Sequence, residues 1–463
     1  MLDTILMLAE AFQARQKQLY MVGGTVRDVL LHRGKSNDAD LATDARPDEI
    51  KQIVAPTRPN AVILVGERFG TVRLHYDTDI IEITTFRSER YNPESRKPEV
   101  CFGTRLEDDL LRRDFTINAM ARHPLTGEII DLFGGRQDLE AHILRAVGNE
   151  PDKRFDEDPL RLLRAVRFAA QLDFAIESHT RISIMRQAST LQKISRERIR
   201  DEMNKLLLSN HPLKGLNLLV ELELMQWIIP EVLELIGVSQ LPQQPPSQRA
   251  ARSKDVYAHV LRVVERSSPR LACRWSALLH DIAKPRTRTV EDGKVHFFGH
   301  EDVGARMAYD ILKHLHFDRD FIASVSNIVR LHMRANAYTS DWTDGAVRRL
   351  MLDSGDDLAD LLDLSRADIT SYRVDKVERA AARVNELAER CQRLKEEAER
   401  VPLKSPLDGR ELMALFGRPP GPWLRPVKEH LLGLVIDGAL SPDDKAGATE
   451  IARAFVATTE SVV

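Results

Sequence analysis

Asp38 and Asp40, in SNDADLAT, are the residue pair whose types and spacing carry the most chemistry in this chain. If Asp38–Leu41 is a strand, the period of two projects both carboxylates from one face. Two carboxylates on one rigid face suit a pair of Mg²⁺ ions roughly 3.5–4 Å apart. Such a pair activates a hydroxyl and clamps a triphosphate for in-line attack on the α-phosphorus. Just upstream, in VGGTVRDVLL, the pattern predicts a strand ending at Gly23-Gly24 and a helix starting near Thr25. Amides at such a junction, with the positive end of the helix behind them, cradle phosphate. Gly24 and Arg27, one turn in, would hold it. Singly, Gly-Gly is an ordinary turn and Asp-x-Asp an ordinary solvated strand. Their order within residues 22–43 is what points to triphosphate chemistry.

GGTVRDVLL followed by DAD, then RRDFTINAMA (112–121), then DPLRLLRAVRF (158–168), resembles the class II tRNA nucleotidyltransferases (CCA-adding enzymes) and bacterial poly(A) polymerases. The likeness covers roughly residues 1–235. It implies a template-independent polymerase that extends an RNA 3′ end, with Asp38 and Asp40 as catalytic Mg²⁺ ligands. Gly24, Arg27 and Arg113 would then contact the nucleotide. Glu82, in IIEITTF, is a third carboxylate by position or an outward-facing strand glutamate.

Arg161, Arg164 and Arg167 fall at i, i+3 and i+6, on one broad helix face. Pro159 suits a first helical position with Asp158 as its N-cap. Asp158 and Arg161 together also suit a base. A carboxylate accepts from the exocyclic amine of cytosine or adenine, and an arginine donates to the neighbouring ring nitrogen. Guanine and uracil would leave both groups unpaired. The resemblance assigns these two residues the same role, with Arg164 and Arg167 set for phosphates or the primer end. VGERFGTVRL (65–74) lacks the basic GRRF-type segment of the poly(A) polymerases. FRSERYNPESRKPEV (86–100) fits the loop of enzymes that add the terminal A, although Arg96-Lys97-Pro98 after Ser95 departs from the common form. Full CCA addition from CTP and ATP to tRNA is therefore favoured over A-only addition.

His259, the adjacent His280-Asp281 and a late Asp368 resemble the HD metal-dependent phosphohydrolases, and His300 and His332 could add ligands for a second metal. Imidazole and carboxylate donors suit a divalent transition metal that activates water. The plainer alternative is an inherited helical scaffold with a vestigial site. Plausible substrates are phosphate ends or 2′,3′-cyclic phosphates on RNA. A protein that is chiefly an HD phosphohydrolase, with a head that only binds RNA, is the reading from a different class.

These residues need a β-containing head to position them. YMVGG, AVILVG, TVRLHY, DIIEITTF and GEIIDLFGG read as strands, and from Asp156 the pattern turns helical. The fold class expected is α+β: a nucleotidyltransferase head with a small mixed or antiparallel sheet (1–150), an extended all-α neck with the base-recognition helix (151–238), a Pro/Gln/Ser linker (239–254), an HD-type body (255–370) and a helical tail (371–463). The seam Val374, Val377, Val384, Leu387, Cys391, Leu394 and Ala398 predicts one long helix over 374–398. GRPPGPW (417–423) is a helix–helix turn or a segment offering amides to tRNA phosphates.

With 463 residues, two or three domains are expected. At 43% apolar and 30% charged the composition is globular, which excludes a largely disordered chain. Sixty-seven basic against 70 acidic residues leave a net charge of −3, which argues against coating nucleic acid with the whole surface while permitting a local footprint. Cys101, Cys273 and Cys391 form no zinc spacing or disulfide framework, as suits a reducing cytosol. MLDTILMLAEAF reads as an amphipathic helix with Leu2, Ile5, Leu6, Ala9 and Phe12 inward, not a signal peptide. No apolar run is long enough for a membrane helix. A cytoplasmic protein without a membrane partner is expected, of no stated oligomeric order.

Overall fold

The computed structural model describes residues 1–33, 37–65, 70–90, 99–103, 105–239, 255–369, 374–400 and 403–460. Most of the VGERF segment, the centre of the 86–100 loop and nearly all of the linker lie outside these. The chain divides into two compact units, Met1–Pro230 and Glu231–Val463.

The first unit opens with α1 (Leu2–Ala14), whose buried face is Ile5, Leu8, Ala9 and Phe12. Leu2 is exposed and Leu8 replaces Leu6 in the seam, because the helix turns its i, i+3, i+4, i+7 stripe onto the sheet. The sheet strands are β1 (Leu19–Val22), β2 (Asp38–Thr43), β3 (Ala61–Val65), β4 (Thr71–Tyr76) and β5 (Asp79–Thr85). After the hairpin β6 (Arg87–Arg90) and β7 (Glu99–Phe102), β8 (Met120–Arg122) and β9 (Ile129–Asp131) complete it. The order is β3-β4-β5-β2-β1-β8-β9, a seven-stranded sheet. It is mixed: β2 and β5 run parallel and the other neighbours antiparallel. β8 begins at Met120, the last residue of RRDFTINAM, and shows no alternation of its own, being buried beside β1.

Helices α2 (Gly24–Leu30) and α3 (Pro47–Val54) pack on the sheet, followed by α4 (Leu106–Leu111) and α5 (Gly135–Glu140). A short parallel pair, β10 (Ile143–Leu144) and β11 (Ala175–Ile176), brackets α6 (Pro151–Glu157) and α7 (Leu160–Leu172). Then come α8 (Ser178–Gln187), α9 (Arg196–Leu207) and α10 (Pro212–Glu221). Helix α7 starts one residue later than the Pro159 signal implies, yet the Asp158 carboxylate still accepts from the Leu160 amide at 3.2 Å. Eleven of the thirteen α7 residues are buried, so this helix is the core of the helical half.

The second unit begins with α11 (Glu231–Glu234), then α12 (Val256–Arg266), α13 (Leu271–Leu279) and α14 (Lys284–Thr287). The hairpin β12 (Thr289–Glu291) and β13 (Lys294–His296) precedes α15 (His300–His314), α16 (Arg319–Asn336), α17 (Asp344–Ser354) and α18 (Leu358–Ala367). The long helix is α19 (Val374–Arg400), with Val384, Leu387, Cys391 and Leu394 buried as the seam requires. Helices α20 (Gly409–Phe416), α21 (Leu424–Ile436) and α22 (Lys445–Glu460) close over Leu412, Leu431, Val435 and Ala448. Between α20 and α21, GRPPGPW forms a turn in which the Trp423 indole N–H donates to the Pro419 carbonyl at 3.0 Å.

Candidate active site and metal centre

Asp38 and Asp40 stand on the solvent side of β2, with Ala39 buried between them, as the strand period requires. The Asp40 amide donates to the Thr25 hydroxyl at 2.9 Å, which ties β2 to the first turn of α2. In the parallel register Asp40 lies opposite Glu82. The protein packed around the Asp40 carboxylate raises its pKa. Arg113 and Arg27 oppose the rise, and Glu82 and Asp38 add to it. Like charges gathered on one face are what a divalent cation neutralises, so the donor set fits one. Glu82 itself is paired with Arg73 at 2.6 Å.

Gly23 caps α2 at φ +67, a left-handed backbone natural to glycine. A Cβ there would lie 2.8 Å from Arg113 Nη1 and 3.8 Å from Asp40 Oδ2. The junction therefore brings backbone, guanidinium and carboxylate together. Arg113 is held by Asp109 at 3.0 Å, and Asp109 also takes Arg112. Arg27 is nearly buried: it donates to Asn118 at 2.8 Å and to Asp28 at 2.9 and 3.0 Å. Asn118 in turn donates to Asp114 at 3.1 Å, and Asp114 accepts from Arg164 at 2.9 and 2.5 Å. Burial alone would raise the Asp114 pKa, but Arg164 and Asn118 hold the carboxyl well below its usual range. RRDFTINAM thus links the Gly-Gly junction to α7 through hydrogen bonds.

The α7 arginines have definite partners. Arg161 donates to the Arg112 carbonyl at 2.6 Å, and to the Arg154 carbonyl and Glu157 at 2.8 Å each. Arg167 forms a buried pair with Glu202 at 2.5 Å and lies 3.9 Å from the centre of the Phe168 ring. Arg27 and Arg164 flank the same ring at 5.2 and 5.3 Å. The Asp158 carboxylate accepts from Arg198 of α9 at 2.9 Å. Arg161 would reach a base beside Asp158 only by exchanging one of its present acceptors, and Arg167 sits deeper than a phosphate contact needs. Sequence spacing passes over Arg198, Thr25, Asn118 and Asp109. Arg198 lies in the run RERIR, where nothing distinguishes it from its neighbours.

In the second unit, His259 (α12), His280 and Asp281 (after α13), His300 (first residue of α15), His332 (α16) and Asp368 (after α18) converge. The His259 and His280 Nε2 atoms are 3.3 Å apart, and His259 Nε2 is 3.0 Å from Asp368. Asp281 Oδ2 lies 3.2 Å from His280, 3.4 Å from His259 and 2.7 Å from Lys284. Burial would lower the His259 pKa, but Asp281 and Asp368 outweigh it and push it up to about 9. Burial and the neighbouring His280 push His332 down to about 4. The buried imidazole and carboxylate donors fit a divalent transition metal. No described helix is long and apolar enough to cross a membrane.

Three family profiles match: the Poly A polymerase head domain over residues 19–145, the probable RNA- and SrmB-binding site of polymerase A over 173–236, and the HD domain over 255–373. The chain thus combines a Poly A polymerase head domain with an HD domain. Both domain types imply dependence on a divalent metal. It is similar to the CCA-adding enzyme of Lactobacillus helveticus, 43% identical over 230 residues (50% of this chain and 55% of that one). The CCA-adding enzyme of Enterococcus faecalis is 47% identical over 220 residues, or 47% of this chain and 51% of that one. The chain thus spans about half the length of these curated relatives. The CCA-adding enzyme of Bacillus stearothermophilus, solved in complex with CTP, superposes with a TM-score of 0.69 at 25% identity, over 99% of this chain and 98% of that one.

Proposed function

We propose that this protein adds C, C and A from CTP and ATP to the 3′ end of tRNA without a nucleic-acid template. The observation that carries the reading is the face of β2, where Asp38 and Asp40 stand beside the Gly23 turn and Arg113. Asp38 and Asp40 would hold Mg²⁺, which when bound supplies the charge that activates the 3′ hydroxyl and steadies the triphosphate. Gly23 keeps the backbone low, so that amides at the start of α2 and Arg113 meet phosphate oxygens. Arg27 braces that turn through Asn118 and Asp28. Asp158 accepts from the exocyclic amine of C or A, and Arg161 donates to the ring nitrogen once it releases an acceptor. The Asp114–Arg164 pair holds α7 in place for this. The likeness to proteins named CCA-adding enzymes supports the reading, as does the CTP complex of one of them. A cytoplasmic location goes with it.

The test is extension, at single-nucleotide resolution, of tRNA transcripts ending before CCA, at CC and at CCA, each with CTP, ATP or both. The shortest transcript should grow to CCA and stop. Extension of only the CC-ended transcript, by one A, would make this an A-adding enzyme.

A second reading rests on the converged HD residues: a metal-dependent phosphohydrolase acting on phosphate ends or 2′,3′-cyclic phosphates of RNA. Release of phosphate from such ends, lost in His280→Ala, is its test.

A further inference from the structure

We propose that the stacked pair His296 and Phe298, beside the HD cluster, is a platform for the base of a nucleotide whose phosphate lies at that cluster. The proposal rests on the HD reading and deepens it, by giving that site a base-bearing phosphate ester as its ligand class. Phe298 is 67% exposed, more than any other large apolar side chain among the described residues. Its ring centre lies 4.8 Å from that of His296, with the two planes only 10° apart. A flat aromatic pair open to water is what a base stacks on.

The place of Phe298 is set by a turn that also holds a cluster histidine. The His300 amide donates to the Phe297 carbonyl at 3.3 Å, and His300 Nδ1 lies 2.8 Å from the same oxygen. Phe298 and Gly299 are the two corner residues of this turn, with Gly299 at φ +70. Turn corners favour Gly, Pro, Asn, Asp and Ser, so the local backbone gives no reason for an exposed phenylalanine there. Being two residues apart, Phe298 and His300 have Cα atoms within about 7.6 Å of each other. A nucleotide bridges that distance, with phosphate at one end and base at the other. Lys284 ties the same parts together: its ammonium is 2.7 Å from Asp281 Oδ2 and 5.5 Å from the centre of the Phe297 ring. Charge agrees with a phosphate ester. Between Lys284 and Gly299 the chain carries four basic residues against two acidic ones, Glu291 and Asp292, and these two lie at the far end of the β12–β13 hairpin. Stacking accepts any base, so the platform selects nucleotides over base-free phosphates without choosing among them.

The test uses the full chain with Asp38→Asn and Asp40→Asn, which weaken nucleotide binding at the head. Two probes are mixed rapidly with it: 2-aminopurine riboside 3′-phosphate, and a short 3′-phosphorylated RNA ending in the same base. Stacking quenches this base, and the quench is read before phosphate is released. Quenching is expected, with affinity about tenfold lower in Phe298→Ala and close to the parent in Phe298→Tyr. A response to the mononucleotide alone assigns a free nucleotide to the platform, and a response to the RNA assigns an RNA end. In steady-state phosphate release with Mn²⁺, Phe298→Ala should raise KM about tenfold and leave kcat unchanged. Glycerol 2-phosphate, which has no base, should keep its KM. Equal quench and equal KM in Phe298→Ala and the parent would overturn the platform and leave the HD reading standing. Neither quench nor phosphate release in the parent would overturn both.

Discussion

At the scale of residues, the head is organised by which side chains are already committed. Gly23→Ala puts a methyl 2.8 Å from Arg113 Nη1 on a left-handed backbone. The strain is about 1–2 kcal/mol, and Arg113 must move. We expect the KM for CTP to rise several-fold in steady-state extension assays, with the melting temperature only modestly lowered. Asp158 and Arg161 should separate in a second experiment. Asp158 is partly exposed and its Arg198 partner half-exposed, so Asp158→Ala should cost under about 1 kcal/mol while relaxing choice among the four triphosphates. Arg161→Ala leaves Glu157 with Arg154 alone and takes this donor from the Arg112 and Arg154 carbonyls in a buried setting, at about 3 kcal/mol. Denaturant unfolding and single-turnover incorporation of each nucleotide check both. Unchanged preference for C and A in Asp158→Ala would remove its base-reading role.

At the scale of elements, α8 shows how a cap converts into pH dependence. Glu177 accepts from the amides of His179 at 3.0 Å and Thr180 at 2.8 Å. Burial would raise its pKa, but these bonds and those from the Thr180 and Ser178 hydroxyls bring it down to about 2. A depressed carboxylate contributes stability above its unfolded pKa near 4.5 and loses it as pH falls towards 2. Glu177→Gln should therefore cost about 1–2 kcal/mol at pH 7 and almost nothing near pH 2. Urea titrations at the two pH values measure the difference. Elements were legible where composition or period marked them. Strands β1, β3, β4, β5 and β9 are β-rich runs bounded by Gly, Pro and Asp, of which β4 and β5 alternate, and helix α19 follows a 3.6-residue seam. β8 escaped because it is buried on both faces within a motif read for its chemistry, and a buried strand shows no alternation.

At the scale of the whole molecule, two units each carry a cluster suited to divalent metal, and each has its own core: Phe12, Phe86 and Phe115 in the first, Trp275 and Tyr338 in the second. Asp38→Ala with Asp40→Ala should abolish nucleotide addition, by about a thousandfold or more, and spare phosphate release. His280→Ala should do the reverse. Loss of both activities in either variant, with the fold retained by circular dichroism, would mean the two sites depend on each other. The sequence by itself determined the residues that share a local element: Asp38 and Asp40 on one strand face, Gly23-Gly24 at a strand-to-helix turn, and His280 next to Asp281. Those follow from the periods of strand and helix, which are properties of the backbone. Only the tertiary structure decided that Asp158 meets Arg198, that Arg161 and Arg167 are bound to acidic side chains and carbonyls, that Glu82 aligns with Asp40, and that His300 and His332 face Asp281. A buried charge takes whichever partner the packing of distant helices brings within reach, because desolvation makes leaving it unpaired too costly. Spacing along the chain carries no record of that choice.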